Sequence, residues 1–412
     1  MRRFSTILLP VSVFCLACVA APRLARGLSV ELSPPAQSPA AEARLFRLAN
    51  GILALSWVEQ RPDGAAELKY ARLEGRSWSA PRSVASGDDW FVNWADTPAV
   101  AAFADGALLA HYLRETSEEK YAYEIRATLS SDEGKTWGES FRLHTDESQT
   151  EHGFVSWTAV GKDRMWGVWL DGRKFAAGED AYGNPRVAVE EMTLRAALVA
   201  SDGAILRRDL LDARVCDCCP TDIAASGELV AVVYRDRGEK EIRDTSMRIF
   251  DGVSWSDAIT LGRDRWEVGG CPVNGPALAV AGDRAAVAWF TAADGKPSVN
   301  VALGTLSSRS FGEAIRVDER KTLGRVDLAW SDGKAWVLWM EEEGEGKAVL
   351  KLRSIGDDGS LSAVEAVASC SSERSSGFPQ MAATSGGLVV IWNTGGETPR
   401  VRGLLVPTTV QP

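Results

Sequence analysis

The sequence predicts an all-β protein, built as a seven-bladed β-propeller with four-stranded blades. Seven short apolar strands each carry one aromatic residue, and they recur about every 50 to 65 residues along the chain. Turns that contain Gly or Asp separate the strands. A repeat of short strands at this period is typical of propellers. The repeated aromatic residues are Trp57, Tyr112, Trp169, Tyr234, Trp289, Trp339 and Trp392.

Each repeat predicts four strands: an inner strand of small apolar residues, a second strand with the aromatic residue, an alternating third strand and an outer strand. The second repeat, blade 2, shows this order in residues 97–101, 107–112, 121–130 and 141–143. Alternation of polar and apolar residues is the period of a half-buried strand. The inner strands of blades 1 to 7 are expected to begin near Leu45, Thr97, Phe154, Thr221, Pro276, Val326 and Phe378.

Closure of the ring is predicted to involve the N-terminal segment. The seventh repeat ends after three strands, at residues 401–405, so its outer position must be filled from elsewhere. Residues 28–32 are expected to form this strand, because such pairing covers an edge that would otherwise be exposed. The Pro-, Ser- and Ala-rich residues 33–41 then lead into blade 1. One propeller domain is thus predicted over residues 28–410.

Residues 1–21 are expected to be an export signal. Arg2 and Arg3 precede an apolar stretch at 7–17, and small residues follow it. This is the order of a cleaved signal peptide, so the protein is predicted to be exported, either periplasmic or secreted. A second interpretation, based on residues 15–18, is a lipoprotein signal with a lipid anchor at Cys18. Every later segment is too polar to predict a transmembrane span.

The charge of the chain argues against one class of partner. The formal net charge is −10 and the pI is about 5.1. Nucleic-acid-binding proteins carry a basic footprint, so no nucleic acid is expected as a partner. The hydrophobic content of 45% is ample for a buried core. The sequence leaves the oligomeric state open.

One motif in blade 2 is specific. Residues 130–137 read Ser-Ser-Asp-Glu-Gly-Lys-Thr-Trp, which fits the pattern S-x-D-x-G-x-T-W. In a hairpin turn, Asp132 can accept backbone N–H bonds and Gly134 can take a positive φ. The pattern resembles the Asp-box of bacterial neuraminidase (BNR) repeats. On this motif and its repeat, the chain resembles the exported bacterial sialidase-like propellers of the neuraminidase superfamily.

This resemblance implies a propeller that handles glycans and, for an enzyme, an exo-sialidase-like glycoside hydrolase. It also implies a six-bladed ring as the alternative to seven blades. Sialidases hold the substrate carboxylate with three arginines and use a Tyr nucleophile, a Glu and an Asp acid/base. Here Asp96 stands where the first Arg is expected, and no Tyr follows Tyr234. No sialidase catalytic residue is therefore carried over, and enzyme activity is left open.

Loops that precede inner strands and loops that follow second strands share one face of a propeller. Their polar residues are therefore expected to surround the channel and to bind a glycan or another small polar ligand. Carboxylates and His suit acid–base chemistry, Arg and Asn suit polar groups, and Trp suits a sugar ring. The predicted catalytic residues are Glu151, His152, Asp171 and Asp236, and the predicted ligand-binding residues are Trp94, Asp96, Arg173, Arg235, Arg237, Asn274 and Arg374. The alternative is that the charged residues form ion pairs that lock the blades.

Four cysteines are expected to meet at the same face. Cys216, Cys218 and Cys219 precede the inner strand of blade 4, and Cys271 precedes that of blade 5. With Cys370 the mature chain has five, and an odd count leaves one thiol unpaired. Disulfides between these loops, with no cofactor, are the first interpretation. The alternative is a copper or zinc site made by Cys216, Cys218, Cys219 and Cys271, whose spacing is not that of a zinc finger.

Three functions are consistent with these observations. The first is an exported sialidase-like propeller that binds, and as an enzyme hydrolyses, a glycan or other polar ligand over the channel. The second is a metal-binding or redox-linked envelope protein that uses the cysteine cluster. The third is a non-catalytic interaction scaffold. Two carboxylates about 5–10 Å apart over the channel would favour the first, and converging thiols the second.

Overall fold

The computed structural model describes residues 29–37, 39–179, 185–186 and 188–408. Within these residues the predicted seven-bladed propeller of antiparallel, four-stranded sheets is confirmed, and the six-bladed alternative is not. The predicted export signal and Cys18 lie outside the described residues. No helix in the described part is long and apolar enough to cross a membrane.

The strands of each blade follow one another outwards from the channel. Those of blades 1 to 3 are Ala40–Arg47, Leu53–Gln60, Ala66–Glu74 and the two short outer strands Ser77–Trp78 and Arg82–Gly87; Ala99–Ala102, Leu108–Glu115, Tyr123–Ser130 and Phe141–Arg142; and His152–Val160, Arg164–Asp171, Met192–Ala200 and Ile205–Val215. Those of blades 4 and 5 are Asp222–Ser226, Leu229–Arg235, Thr245–Phe250 and Ile259–Thr260; and Ala277–Ala281, Arg284–Thr291, Ser298–Thr305 and the two short outer strands Ser310–Phe311 and Ile315–Arg316.

Blades 6 and 7 complete the ring. Their strands are Thr322–Ser331, Lys334–Gly344, Lys347–Ile355 and Glu365–Ser371; and Gln380–Thr384, Gly387–Asn393, Val401–Val406 and Val30–Glu31. A small hairpin, Gly178–Glu179 with Pro185–Arg186, projects from blade 3. Short 3-10 turns lie at Arg173–Phe175, Glu239–Glu241, Ala293–Gly295 and Arg374–Ser376.

The N-terminal segment closes the ring, as the sequence predicts. Strand Val30–Glu31 pairs antiparallel with the last strand, and Leu32 N donates to Gly403 O at 2.9 Å. Leu32 is almost fully buried between blades 7 and 1. A Cβ on Gly403 would lie 2.6 Å from Leu32 O, so only glycine allows this approach. The pairing is shorter than predicted, and the inner strand of blade 1 already begins at Ala40.

The repeated aromatic residues pack between blades, and in three blades they also fix an acidic side chain. The indole N–H of the Trp donates to the carboxylate two residues later, on the same side of the strand. These pairs are Trp57–Glu59 at 2.8 Å, Trp169–Asp171 at 3.0 Å and Trp339–Glu341 at 3.1 Å. An acid at this position thus has a structural partner in blades 1, 3 and 6.

Three aspartates, the buried Asp96 and the half-buried Asp222 and Asp327, tie neighbouring blades together, and we call them the clamp aspartates. Each carboxylate accepts a hydrogen bond from a backbone N–H of the following blade. The pairs are Asp96 with Phe154 N, Asp222 with Leu278 N and Asp327 with Met381 N. Burial raises their pKa values to about 7, 6 and 7 in that order, although these hydrogen bonds oppose the rise.

The turn at residues 130–137 has the hydrogen bonds that the sequence predicts. Asp132 accepts bonds from Lys135 N at 3.0 Å and Thr136 N at 2.9 Å, and Gly134 has a φ of 74°. The third strand of blade 2 runs from the channel face to this turn, so the turn lies on the opposite face. Its Glu133 O accepts a bond from the Tyr70 hydroxyl at 2.7 Å, which links blades 1 and 2.

Ring closure yields the first prediction. Replacing Leu32 by Ala should lower the free energy of unfolding by about 2–5 kcal/mol, because it leaves a cavity between the first and last blades. The matched control is Glu31→Ala, which removes a solvent-exposed ion pair with Arg402 and should cost no more than about 1 kcal/mol. Urea unfolding of both variants measures the difference. Equal losses would contradict closure through the buried side chain.

The clamp aspartates yield the second prediction. Their folded pKa values lie above the unfolded value, so the folded state binds more protons between about pH 4 and 7. The free energy of unfolding should therefore decrease as the pH rises through this window. Asp327→Asn, which cannot titrate, should show a smaller decrease in urea unfolding measured across the same window. A variant with the slope of the unmodified protein would contradict this assignment.

Candidate functional site

A pocket of about 850 Å³ opens on the face where the sequence places the ligand. Loops that precede the inner strands of blades 2, 3, 4, 5 and 7 form it, together with loops that follow the second strands of blades 2, 3 and 4. Of the residues predicted to form a catalytic and ligand-binding site, five line this pocket: Trp94, Asp96, Glu151, Arg237 and Arg374. Two of the four cysteines, Cys218 and Cys271, also line it.

A tyrosine between two carboxyl groups forms the polar centre of the pocket. The Tyr123 hydroxyl lies 2.7 Å from Glu151 Oε1 and 2.9 Å from Asp96 Oδ2. Phe154 N donates to the other Asp96 oxygen at 2.6 Å. A Cβ on Gly153 would lie 1.8 Å from Asp96 Oδ2, so glycine is required beside this group. The two carboxyl groups are thus held within about 6 Å of each other, with the Tyr123 hydroxyl between them.

One phenol hydroxyl lies between two carboxyl groups, an arrangement that disfavours ionisation of both carboxyl groups at once. The Tyr123 hydroxyl can donate to only one carboxylate, so the second contact is a hydrogen bond only when one carboxyl group is protonated. Burial raises the pKa of Glu151 to about 8, and the Asp96 charge adds to this, while the Tyr123 hydrogen bond opposes it. Burial likewise raises the pKa of Asp96 to about 7. The set therefore retains a proton near neutral pH.

Exposure separates the roles of these groups. Tyr123 and Asp96 are almost fully buried, whereas Glu151 is partly exposed to the pocket. The Phe91 ring stacks on Tyr123 with 4.1 Å between centroids and closes one side of it. Glu151 is therefore the member that can touch a ligand, and the other two position it from behind.

Aromatic rings form much of the pocket wall. Trp94 stacks on Phe378 with 5.8 Å between centroids, and the Arg325 guanidinium lies 5.1 Å from the Trp94 ring. Tyr121 is exposed at the rim, and Phe175, in the loop after the second strand of blade 3, also lines the pocket. Rings of this kind stack on the apolar faces of sugars.

Two arginines reach the pocket with different freedom. Arg237 is tied to Glu241, with Nε donating at 2.9 Å, and to a backbone carbonyl. Arg374 is exposed, and its guanidinium has no hydrogen bond or ion pair with any other described residue. Arg374 is therefore the cation that a bound anion can pair with at no internal cost.

The buried His152 and Asp171 and the half-buried Arg173 form a polar network in blade 3. Asp171 accepts hydrogen bonds from Arg173 Nε at 2.6 Å and Nη2 at 2.8 Å. His152 Nε2 lies 3.2 Å from Asp146 Oδ2, and its ring stacks on His144 with 3.9 Å between centroids. Burial would raise the Asp171 pKa, but the Arg173 hydrogen bond and the neighbouring His152 lower it to about 2. These residues do not face the pocket.

Arg235, Asn274 and Asp236 also lie outside the pocket. Arg235 is buried and donates to the carbonyl oxygens of Asn274 at 2.8 Å and Phe290 at 2.7 Å, which ties blade 4 to blade 5. The Asn274 side chain forms hydrogen bonds with the blade 6 backbone: it donates to Leu323 O and accepts from Arg325 N. Burial raises the pKa of Asp236 to about 6, and one of its oxygens accepts the Arg237 N–H at 2.7 Å. Here the blade-locking interpretation describes the contacts.

The cysteines converge without disulfides in the described residues. Cys216 Sγ lies 2.9 Å from Cys219 Sγ and 3.9 Å from Cys218 Sγ, whereas a disulfide is about 2.05 Å long. Cys271 and Cys370 are also free thiols. The expectation of disulfides between these loops is therefore not met, because no two thiols are joined.

Sequence reasoning misses the role of Tyr123 and places it only in an alternating strand. Its signal is weak: a third strand runs away from the channel face, so its first residue lies at that face. Phe91 and Tyr121 are also missed, because nothing in their spacing distinguishes an aromatic ring that lines a pocket from one that packs in the core. Arg243 is also missed, because nothing in its polar loop predicts that its side chain lies beside the cysteines.

Comparisons with known proteins place the fold. No protein-family model matches the sequence, and no curated protein matches it. The chain is similar to polysaccharide lyase Uly1, with a TM-score of 0.52 and 9% identity over 95% of this chain and 94% of that chain. It is also similar to a PL25 ulvan lyase, with a TM-score of 0.52 and 11% identity over 92% of this chain and 96% of that chain.

A sialidase is among the similar structures at a lower score. The NanB sialidase of Streptococcus pneumoniae has a TM-score of 0.43 and 12% identity, over 89% of this chain and 68% of that chain. These neighbours are β-propellers, and at such identities the likeness shows the fold alone. The broad resemblance to propellers is thus established, and the specific likeness to sialidases is not.

The carboxyl–phenol set yields the third prediction. Asp96→Asn removes a negative charge that raises the Glu151 pKa, so this pKa should fall. Tyr123→Phe removes a hydrogen bond that lowers it, so the Glu151 pKa should rise. Carbon-13 NMR titration of the Glu carboxyl carbons measures both, with Glu151→Gln to assign the signal. Shifts of the same sign in the two variants would contradict the geometry.

Proposed function

We propose that the pocket binds an acidic glycan and that Glu151 acts as the acid/base in cleaving it. The observation that carries this proposal is a partly exposed Glu151 with a pKa of about 8, held by Tyr123 and set in a pocket with an unpaired arginine. The protein is further proposed, from residues 1–21, to be exported and to meet its polysaccharide outside the cytoplasm.

Proton transfer is the chemistry that this group supports. A general acid must hold its proton at the working pH and release it to the leaving oxygen. A carboxyl group with a raised pKa meets the first requirement, as in other enzymes that cleave glycosides. In the proposed step Glu151 protonates the glycosidic oxygen, and its carboxylate then activates water. Tyr123 and Asp96 are positioning residues, because burial keeps them from the ligand.

The acidic nature of the ligand follows from charge. Arg374 offers an unpaired guanidinium, which binds a carboxylate or sulfate with charge-assisted hydrogen bonds. Trp94 and Tyr121 offer ring faces for the apolar side of a sugar. The volume of about 850 Å³ lies within the range of pockets that bury organic ligands. A sugar acid combines both requirements, whereas a neutral sugar leaves Arg374 unused.

The resemblance of the sequence motif to sialidases supports this proposal only in part. A tyrosine paired with a glutamate, and an aspartate nearby, are the groups that the resemblance implies. Here Tyr123 comes from blade 2 and is buried behind Glu151, so we assign no nucleophilic role to it. His152, Asp171 and Asp236 are not part of the proposed machinery, because their contacts are internal.

The fourth prediction tests this function with purified protein and a panel of sialylated oligosaccharides, polyuronates and their neutral counterparts. Glu151→Gln should lower kcat by about 100-fold or more, since it cannot release a proton. Arg374→Ala should raise KM about 10-fold or more for acidic substrates only. Arg76→Ala is the control, because Arg76 is exposed in a turn on the opposite face. New reducing ends report hydrolysis, and unsaturated products report elimination.

Three results would contradict the proposal. The first is cleavage that survives Glu151→Gln. The second is a rise in KM in Arg374→Ala that is equal for neutral and acidic substrates. The third is an absence of binding to every acidic glycan of the panel, which would favour the scaffold interpretation.

A further inference from the structure

The three clustered thiols lie in a loop that is fixed at both ends. The outer strand of blade 3 ends at Val215, and the inner strand of blade 4 begins at Asp222. Cys216 N donates to Arg235 O at 3.0 Å, and Val215 forms an antiparallel β-bridge with Asp236. The loop that carries the three thiols is therefore short and anchored by the strands on both sides.

The spacing of the sulfurs suits a shared metal ion. The Sγ atoms of Cys216, Cys218 and Cys219 all lie within 4.8 Å of one another. Zinc–sulfur bonds of about 2.3 Å place two sulfurs of a tetrahedral site about 3.8 Å apart. The Cys216–Cys218 distance of 3.9 Å fits this edge. The Cys216–Cys219 pair, at 2.9 Å, would open by about 0.9 Å, which a side-chain rotation can supply.

A fourth thiol approaches from the next blade. Cys271 Sγ lies within 4.8 Å of Cys218 Sγ and of an Asp217 oxygen, and Cys271 is exposed to the pocket. The two loops are in close backbone contact, because a Cβ on Gly275 would lie 2.0 Å from Pro220 O. Cys271 can thus complete the coordination from the pocket side and give an ion access to the buried thiols.

The charges around the cluster suit deprotonated thiols. Arg243 is buried, and its Nη1 lies 3.4 Å from Cys216 Sγ and 2.9 Å from Asp217 Oδ1. Thiolate ligands leave a zinc or cuprous site with net negative charge, and a guanidinium beside them offsets part of it. Arg243 also pairs with Glu241 at 2.9 Å, which holds its guanidinium in place beside the sulfur cluster.

We propose that Cys216, Cys218 and Cys219, with Cys271 as the fourth ligand, bind a thiophilic d10 cation, either zinc or cuprous copper. Thiolate ligands select these ions over magnesium, calcium and manganese. The site lies beside the glycan pocket, since Cys218 and Cys271 line it. Metal binding is independent of the proposed glycan cleavage, and either can fail without the other.

The experiment uses the full mature chain, reduced and freed of metal. Zinc is titrated against a chromophoric chelator and cuprous copper against a bicinchoninate-type competitor. Cobalt(II) reports sulfur ligation through its charge-transfer band. The expected result is one tightly bound ion per chain for the unmodified protein and for the control Cys370→Ser, whose thiol lies in the outer strand of blade 6. Whichever ion binds with one-to-one stoichiometry is the assigned metal.

Variants then locate the ligands. Cys218→Ser should weaken binding by at least about 100-fold and remove the charge-transfer band, as loss of a direct ligand exceeds the cost of losing a supporting residue. Cys271→Ser should weaken it less, by about 10-fold, because Cys271 is exposed to the pocket and water can take the fourth position there. Alkylation of the unmodified protein, mapped by mass spectrometry, keeps the test valid should a variant fail to fold. Metal should protect Cys216, Cys218 and Cys219 but not Cys370.

The proposal is overturned by any of three results. Neither metal binds stoichiometrically to the reduced protein. Metal protects no cysteine of the cluster from alkylation. Alternatively, protein isolated from its native compartment contains a Cys216–Cys219 disulfide, and the reduced form takes up no metal.

Discussion

Closure of the ring is the constraint on which the rest of the molecule depends. Each blade buries its faces only against its two neighbours, so a gap between the first and last blades would expose both. Leu32 and its backbone bond to Gly403 prevent this, at a point where only glycine fits. Because the ring is closed, the loops at one end are held in fixed positions around the channel.

The same interactions that hold the blades also set the chemistry of the pocket. Asp96 clamps blade 2 to blade 3 through Phe154 N, and its second oxygen faces Tyr123. Burial that suits a clamp also raises carboxyl pKa values, and this effect extends to Glu151. The raised pKa of Glu151 is therefore linked to Asp96, a residue that also holds two blades together.

Much of the fold follows from the sequence, but the site does so only in part. The regular period of Trp57 and its counterparts predicts the number of blades, and strand direction predicts the face that holds Glu151 and Arg374. Contacts between side chains are not periodic. Whether Asp171 faces a ligand or an indole depends on which way one strand end turns, and no sequence pattern records that Tyr123 joins two carboxyl groups.

The most direct test of the account is a crystal structure with a bound acidic oligosaccharide, using Glu151→Gln to prevent turnover. The account predicts a sugar carboxylate paired with Arg374, a ring against Trp94, and a glycosidic oxygen about 3 Å from the residue 151 side chain. An oligosaccharide bound elsewhere, or bound in the pocket without contact to residue 151, would contradict it.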